Sequence, residues 1–308
     1  MNRGTHDSLD DPRNEDILIN INGELFTRNE ARISVFDSGY LVGDGVWEGL
    51  RLHEGVFVYL DDHLNRLYEG ARMAFMDIGK TREDLTRMLH ETVNANHMDD
   101  GIHVRLMVTR GNKKTPSQDP RLTTTPPNIV IIPEFKTANP EVSKQGVRLY
   151  TSAIRRGSPD YLDPRLNCHS KLHEVIALSQ ALNAGADEAL MLDINGFVST
   201  CNATNFFIVR NDEVWTSTGN YCMNGITRAK VIETCRKNGI PVYEKNFSLM
   251  DVYSADEVFV TGTFGGLTPV TEVDGQSIES TSIPGSLTQT LSQLYQESIR
   301  QYIQSVKE

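Results

Sequence analysis

The alternation of apolar and polar residues predicts the elements of the first half of this 308-residue chain. Two hairpins are expected, one turning at Asn22-Gly23 and one at residues 53–55. Apolar residues at helical spacing predict helices over 61–74 and 82–96, with Thr81 and Asp84 as the N-terminal cap of the second. Further strands are expected at 103–109 and 128–132. Several strands with two adjacent helices indicate an α+β fold.

Apolar periodicity stops in the polar stretch between residues 134 and 145, which is therefore the predicted linker. Beyond it the pattern predicts a strand at 147–152 and a long helix that ends near Gly185. A hairpin at Asn195-Gly196 is expected to join 188–193 with 203–209. A helix opening at Gly225, strands at 241–245 and 257–261, and a C-terminal helix over 286–306 complete the pattern.

The length favours two domains, at about 150 residues each. We expect a disordered polar tail over 1–16, a smaller α/β domain over 17–135, a linker over 136–146 and a larger domain over 147–308. These boundaries follow from the pattern alone.

Composition narrows the class of protein. The chain has 41 acidic and 30 basic residues, a formal net charge of -11, which disfavours nucleic acid and anionic membranes as partners. No apolar run approaches the ~18 residues that span a bilayer, and the polar N-terminus does not resemble a signal peptide. The four cysteines lack metal-ligand spacing, so buried thiols and a cytoplasmic protein are expected.

Two loops have the chemistry of an anion site. Residues 224–228 place a glycine and Thr227 at the start of a helix, where free N–H groups favour a phosphate. Residues 261–266 form a polar, glycine-containing turn after an apolar strand. A simple helix cap and a flexible connection are the alternatives. Arg66, on an otherwise clean amphipathic helix, is either a further anion ligand or a solvated arginine.

Lys171 is a candidate nucleophilic amine, with a surface lysine as the alternative. It lies one turn into the predicted helix, whose first turn contains Asn167. His169 and His173 are four residues apart, as zinc ligands often are, but no third ligand has convincing spacing. We therefore predict no metal site.

Taken in order, several motifs resemble the pyridoxal-phosphate-dependent aminotransferases of fold type IV, which include branched-chain aminotransferases, D-amino-acid aminotransferases and aminodeoxychorismate lyase. The resemblance covers nearly the whole chain from about residue 17. The motifs that carry it are residues 37–51, 63–67, 186–193, 205–207, 225–228, 256–263 and 268–270.

The resemblance implies a two-domain fold with pyridoxal 5'-phosphate in the cleft between the domains, and a homodimer. It implies that the substrate carboxylate binds the turn at Thr263 and Phe264, with help near Arg51 and Arg105. Trp47 and Phe264 are candidates for the pocket wall, with simple core residues as the alternative. The residues implied to bind the cofactor are Arg66, Lys171, Thr200, Asn205, Ile226, Thr227 and Thr263.

Two positions depart from the family pattern. Gap-free counting from residues 186–188 places the imine-forming lysine of the family on or beside Asn167, which cannot form an imine. We hypothesise that this lysine has moved to Lys171, four residues on and on the same helix face. The alternative is a pseudoenzyme that binds the cofactor without a covalent bond, or not at all.

The second departure is Thr200, where the family usually has a glutamate that keeps the pyridine nitrogen protonated. A hydroxyl cannot hold that proton in the same way. The expected activity is amino-group transfer between an amino acid or amine and a 2-oxo acid, with Lys171 as the catalytic lysine. A lyase or racemase is the alternative enzyme, since a weaker electron sink suits it better.

Overall fold

A computed structural model describes residues 4–308, which divide into two compact units. The N-terminal unit comprises Leu9–Thr137, Leu166–Lys171 and Ser305–Glu308. The C-terminal unit comprises residues 4–8, Ala138–Arg165 and Leu172–Gln304. Within residues 4–308, no helix is both long and apolar enough to cross a membrane.

The N-terminal unit contains an antiparallel sheet of six strands among the described residues, in the order β2-β1-β6-β5-β3-β4. Its strands are Leu18–Ile21 (β1), Glu24–Thr27 (β2), Gly45–His53 (β3), Val56–Phe57 (β4), Ile102–Thr109 (β5) and Asn128–Phe135 (β6). Its helices are Ser38–Val42 (α1), Leu60–Met73 (α2) and Arg82–Ala95 (α3). The predicted hairpins and both long helices are confirmed, including the capping box of Thr81 with Asp84.

The two faces of this sheet differ because successive strand residues point to opposite sides. On β3, the even-numbered residues from Val46 to Leu52 are buried, and the same face of β5 contributes Val104 and Leu106. Leu64 of α2 and further leucines of α3 belong to the same apolar cluster. The odd-numbered positions of β3 form the other face, which is therefore available for polar chemistry.

The C-terminal unit contains a mixed sheet of nine strands among the described residues. The strand order is β12-β11-β10-β13-β14-β7-β8-β9, with β15 paired to β14. The strands are Val147–Thr151 (β7), Glu188–Leu192 (β8), Val198–Cys201 (β9), Asn205–Arg210 (β10), Glu213–Thr216 (β11), Val242–Glu244 (β12), Glu257–Gly262 (β13), Gly266–Val273 (β14) and Gln276–Ser277 (β15).

The helices of this unit are Pro140–Gln145 (α4), Leu172–Asn183 (α5), Ile226–Lys237 (α6), Leu249–Tyr253 (α7) and Ser286–Lys307 (α8), of which α8 ends in the N-terminal unit. α5 shares one apolar cluster with the sheet, and α4 and α7 share another. Phe206, Ile208 and Val260 are fully buried in that cluster. The central strands β10 and β13 are buried along almost their whole length, which fixes both of their ends in place.

Three sequence expectations differ from the structure. Of the tail expected over 1–16, residues 1–3 lie outside the described residues, and residues 4–16 are ordered: Thr5 is buried, and a short 3₁₀ helix occupies Pro12–Glu15. The predicted linker over 136–146 contains α4, because Asn139 caps it and Pro140 fits its first position. The turn at Asn195-Gly196 joins β8 to β9 rather than to 203–209, where β10 pairs with β13 instead.

Candidate active site

In the N-terminal unit, Trp47, Arg51 and Arg105 share the polar face of the sheet. The Arg105 guanidinium carbon lies 3.9 Å from the centroid of the Trp47 ring, a cation–π contact. Burial lowers the pKa of Arg105, although Glu134 and Glu48 oppose the shift. Arg51 donates to the Lys136 carbonyl at 2.9 Å, and burial lowers its pKa to about 10. The face thus presents two half-buried cations and an indole.

Residues 167–171 do not form the first turn of a helix, contrary to the sequence expectation. They run beside the start of β3: Trp47 N–H donates to the Asn167 carbonyl at 3.1 Å, and His169 N–H donates to the Gly45 carbonyl at 2.9 Å. Backbone pairing with β3 competes with helix formation here, and α5 begins only at Leu172. The expectation that positions 167 and 171 share a helix face is therefore wrong.

Asn167 and Lys171 have different surroundings in this segment. The Asn167 amide is buried and donates to the Trp47 carbonyl at 2.6 Å, while its own oxygen finds no hydrogen-bond partner within residues 4–308. The Lys171 Nζ lies 6.0 Å from the Trp47 ring centroid and the side chain is half-buried. Both residues thus lie near Trp47, with the Lys171 amine beside the ring and the Asn167 amide bonded to the backbone.

Arg66 lies with the helix-covered face of the sheet, where it forms a buried triad with Glu48 and His63. Its Nε and one terminal nitrogen donate to the two Glu48 carboxylate oxygens at 2.8 and 2.7 Å. The His63 Nδ1 is 2.7 Å from the same carboxylate. Burial alone would raise the pKa of Glu48, but the charge and hydrogen bonds of Arg66 with those of His63 hold it below its ordinary value.

In the C-terminal unit, α6 begins without a side-chain cap. Gly225 is its N-cap residue and makes no side-chain hydrogen bond, so the first N–H groups, including those of Ile226 and Thr227, keep their donor capacity. A Cβ on Gly225 would lie 2.2 Å from the Asn205 Oδ1, so a side chain there requires Asn205 or the start of α6 to shift. The Thr227 hydroxyl is buried and 3.5 Å from the Tyr295 hydroxyl. This helix start has the geometry of an anion site.

Thr200 and Asn205 lie together at the ends of β9 and β10. The Thr200 hydroxyl donates to the Thr204 carbonyl at 2.6 Å, so its single proton is already used. The Asn205 amide donates to the Met223 carbonyl at 2.9 Å and lies 3.4 Å from the Thr200 oxygen. Next to Asn205, across the strand pair, the buried Thr261 hydroxyl finds no partner within residues 4–308.

Thr263 and Phe264 form the turn between β13 and β14, as the sequence indicated. Gly262 and Gly266 are paired across the turn, and Gly266 has φ +62°, the left-handed conformation that glycine adopts at little cost. A Cβ on Gly266 would lie 3.9 Å from the Tyr295 ring, the ring that also approaches Thr227. The C-terminal unit therefore brings the Thr263 turn, the α6 start and Asn205 into one region.

Sequence reasoning missed Thr5, Glu188 and the partner of Arg66. Thr5 and Glu188 are joined although 183 positions separate them, and no local pattern indicates such a contact. Glu48 is a charged residue at an inward position of β3, and this break in the apolar alternation was a usable signal for a buried ion pair. Within residues 4–308, no group of three or more His, Cys, Asp or Glu side chains is placed to hold a metal.

The two-unit α+β architecture with this sheet order defines a class of protein, the fold type IV enzymes. The crystal structure of a branched-chain amino acid aminotransferase of T.th. with pyridoxamine 5'-phosphate superposes with a TM-score of 0.86 at 28% identity, over 92% of this chain and 94% of that one. The family model for amino-transferase class IV matches residues 45–273, and the chain belongs to this family.

Two curated relatives show how far the similarity extends. A branched-chain-amino-acid aminotransferase-like protein 2 of Arabidopsis thaliana is 38% identical over 292 residues, which is 94% of this chain and 52% of that protein. A putative branched-chain-amino-acid aminotransferase of Methanocaldococcus jannaschii is 37% identical over 91% of this chain and 95% of its own length. The chain thus spans about half the length of the Arabidopsis relative.

These comparisons confirm three expectations at the level of the family. The fold is that of fold type IV, the family is class IV aminotransferase, and the cofactor of the family is pyridoxal phosphate. All four cysteines are free and buried, as expected.

Proposed function

We propose that this chain is a pyridoxal-phosphate-dependent aminotransferase that moves an amino group between an amino acid or amine and a 2-oxo acid. The observation that carries the proposal is the uncapped start of α6 beside Asn205, in a chain whose family binds a phosphorylated cofactor. The relatives include branched-chain and D-alanine aminotransferases, so a donor panel must contain both L- and D-amino acids.

The residues of the C-terminal unit fit the cofactor phosphate. Ile226 and Thr227 offer backbone N–H groups and a hydroxyl, and Thr263 offers a second hydroxyl from its turn. The buried Thr261 hydroxyl without a partner within residues 4–308 is the kind of orphaned polar atom that a ligand satisfies. The family resemblance adds the Arg66 guanidinium to these phosphate ligands. Glu48 orients Arg66 by accepting hydrogen bonds from two of its N–H groups.

When bound, pyridoxal phosphate supplies an aldehyde for a primary amine and a ring that accepts electrons from the substrate. Lys171 supplies the amine in our proposal and moves the proton of the substrate carbon. Asn167 is unsuited to this role because a carboxamide nitrogen does not form an imine, and here that nitrogen donates to the Trp47 carbonyl. Lys171 is half-buried beside the Trp47 indole.

On the polar sheet face, Arg105 and Arg51 would bind a substrate carboxylate, with the Trp47 ring as a wall. Both guanidiniums are desolvated, which strengthens a charge-assisted hydrogen bond to an anion. Thr200 would accept a hydrogen bond from a protonated ring nitrogen, because its own proton is donated to Thr204. An acceptor of this kind holds the ring proton less firmly than a carboxylate does.

Borohydride reduction of the protein loaded with pyridoxal phosphate, followed by peptide mass mapping, tests the role of Lys171. We expect the label on Lys171, loss of label in Lys171→Ala, and an unchanged label in the control Lys80→Ala, which removes an exposed lysine. A label on another lysine would refute the displaced lysine. Absence of any label in a protein that still binds the cofactor would support the pseudoenzyme. That alternative is considered because position 167 is an asparagine.

A half-reaction with a panel of L- and D-amino acids and amines distinguishes the transferase from a lyase or racemase. We expect conversion of the bound cofactor to its amine form, with release of a 2-oxo acid from an amino acid or of the corresponding aldehyde or ketone from an amine. Release of another product, or inversion of the amino acid without a 2-oxo acid, would favour the alternative enzymes. These alternative enzymes are considered because Thr200 has a hydroxyl where the family usually has a carboxylate.

A further inference from the structure

Residues 4–8 form a short segment of the C-terminal unit, which we name the N-terminal strap. It turns on itself, with the Asp7 N–H donating to the Gly4 carbonyl at 2.8 Å. Asn139 then binds Asp7 twice: its side-chain amide donates to the Asp7 carboxylate at 3.0 Å, and its N–H donates to the Asp7 carbonyl at 3.2 Å. Ser8 forms a β-bridge with Ala138. One end of the strap is therefore fixed to the start of α4.

The other end of the strap is fixed by a buried carboxylate. Both the N–H of Thr5, at 2.8 Å, and its hydroxyl donate to Glu188 Oε1. Thr5 and Glu188 are 4% and 3% exposed, so these bonds form away from solvent, where an unmade hydrogen bond to a charged group is most costly. Loss of the Thr5 donors would leave Glu188 underbonded in the interior.

Between these two anchors the strap lies against the turn of Thr263 and Phe264. A Cβ on Gly265 would lie 3.1 Å from the Thr5 carbonyl oxygen, so the backbones are in close contact. The His6 ring stacks on the Phe264 ring, with centroids 6.3 Å apart and an interplanar angle of 21°. Phe264 is 8% exposed although it lies in a turn. The strap thus covers one side of this turn.

Glu188 also connects the strap to Thr200. Its second oxygen accepts a hydrogen bond from the Thr204 hydroxyl at 3.0 Å. The Thr204 carbonyl in turn accepts the Thr200 proton. The Thr204 methyl group would lie 3.4 Å from a Cβ on Gly262, at the base of the turn. One carboxylate therefore holds both the strap and the segment that orients Thr200.

We propose that the N-terminal strap is a positioning element of the active site, which holds the Thr263–Phe264 turn in the conformation that binds the substrate carboxylate. Thr5 and Glu188 are positioning residues, and His6 determines the packing of the pocket wall through Phe264. This inference rests on the proposed aminotransferase function. It implies that the strap acts on substrate binding, while the proton transfer at the substrate carbon is left to Lys171.

Four variants test the strap in the full chain. Thr5→Val removes the hydroxyl donor and keeps the shape of the side chain, whereas Thr5→Ser keeps the hydroxyl. His6→Ala removes the stacking ring from an exposed position. Asp10→Ala is the matched control, since Asp10 is exposed and lies beyond the strap. We expect Thr5→Val and His6→Ala to raise the KM of the amino donor about tenfold while kcat changes by less than about threefold. Thr5→Ser and Asp10→Ala should resemble the parent protein.

Hydrogen exchange of the cofactor-free protein provides a readout that does not need activity. We expect the backbone amides of residues 263–265 to exchange faster in Thr5→Val and His6→Ala and at the parent rate in Asp10→Ala. His6→Ala keeps the test available if Thr5→Val does not fold. Unchanged exchange in His6→Ala and in any folded Thr5→Val would overturn the proposal, as would an equal fall in kcat and kcat/KM. If the parent shows no amino transfer, the proposed function fails and the exchange data alone decide on the strap.

Discussion

At the scale of single residues, the triad of Glu48, His63 and Arg66 places charged groups in the interior of the N-terminal unit. Glu48 is fully buried, and a carboxylate there is tolerated only because both of its oxygens are hydrogen-bonded. Removing one partner of such a group is far more destabilising than the pair is stabilising. The triad also fixes the direction of Arg66, the residue that we propose for the cofactor phosphate.

Glu48→Gln is expected to lower the free energy of unfolding by about 3 kcal/mol at pH 7, because it removes the buried carboxylate charge that Arg66 and His63 surround. Because the pKa of Glu48 is below its ordinary value of 4.5, this stabilisation is present above that pH and is lost as the pH falls through the folded-state pKa. Urea denaturation at pH 7 and at a series of lower pH values measures both effects.

Glu297→Gln is the matched control, since that carboxylate is in an exposed pair with Arg300. Exposed pairs of this kind contribute ~1 kcal/mol or less. Equal losses in the two variants would contradict the role of the buried triad, as would an unfolding free energy of the parent that falls no more steeply toward acid pH than that of Glu48→Gln.

Thr200→Glu addresses the second departure from the family pattern. A carboxylate at this position would keep the ring nitrogen protonated, so we expect the rate of amino transfer to rise roughly tenfold. Thr200→Ser keeps the hydroxyl and serves as the control with an unchanged rate. Single-turnover rates with one amino donor measure the effect. A folded Thr200→Glu protein with an equal or lower rate would show that the hydroxyl is not the limiting feature.

At the scale of elements, α6 shows how a helix start becomes a binding site. Its N-cap is a glycine with φ -63°, a backbone conformation that other residues adopt readily. The requirement for glycine therefore comes from the space that the Asn205 side chain occupies. Any side chain at position 225 would displace Asn205 or the first turn of α6.

Gly225→Ala is accordingly expected to weaken the binding of pyridoxal phosphate about tenfold, since the first N–H groups of α6 would shift from the phosphate. Gly157→Ala is the control, because a Cβ there meets only an ordinary contact at 3.5 Å. Titration of the protein with the cofactor, followed by absorbance, gives both dissociation constants. Equal affinities in the two variants would argue against the α6 start as the phosphate site.

Elements with local signals were predictable from the sequence. The Thr81 capping box and the Asn22-Gly23 turn are contained in a few adjacent residues, and the structure has both. The cap of α4 at Asn139 was equally local and was overlooked. The course of residues 167–171 was not predictable, because pairing with β3 decides it and that partner is distant in the sequence. Distance in sequence also concealed the Thr5–Glu188 contact.

At the scale of the whole molecule, the net charge of -11 coexists with cationic groups at the proposed site. In the N-terminal unit, Arg66, Arg51 and Arg105 are each half-buried, so their fields act locally and are weakly screened. The overall charge disfavours polyanions without opposing one small phosphorylated ligand. The net charge of the chain thus disfavours large anionic partners, whereas the local arginines determine the chemistry of the proposed site.

The assignment of residues 4–8 to the C-terminal unit and 305–308 to the N-terminal unit affects how this gene can be cut. The chain changes unit at five junctions, 8/9, 137/138, 165/166, 171/172 and 304/305. A gene fragment that encodes residues 138–304 alone would omit Thr5 and leave the Glu188 carboxylate without two of its donors. A chimera between two family members therefore needs residues 4–8 from the parent that supplies the C-terminal unit. It needs residues 305–308 from the parent that supplies the N-terminal unit.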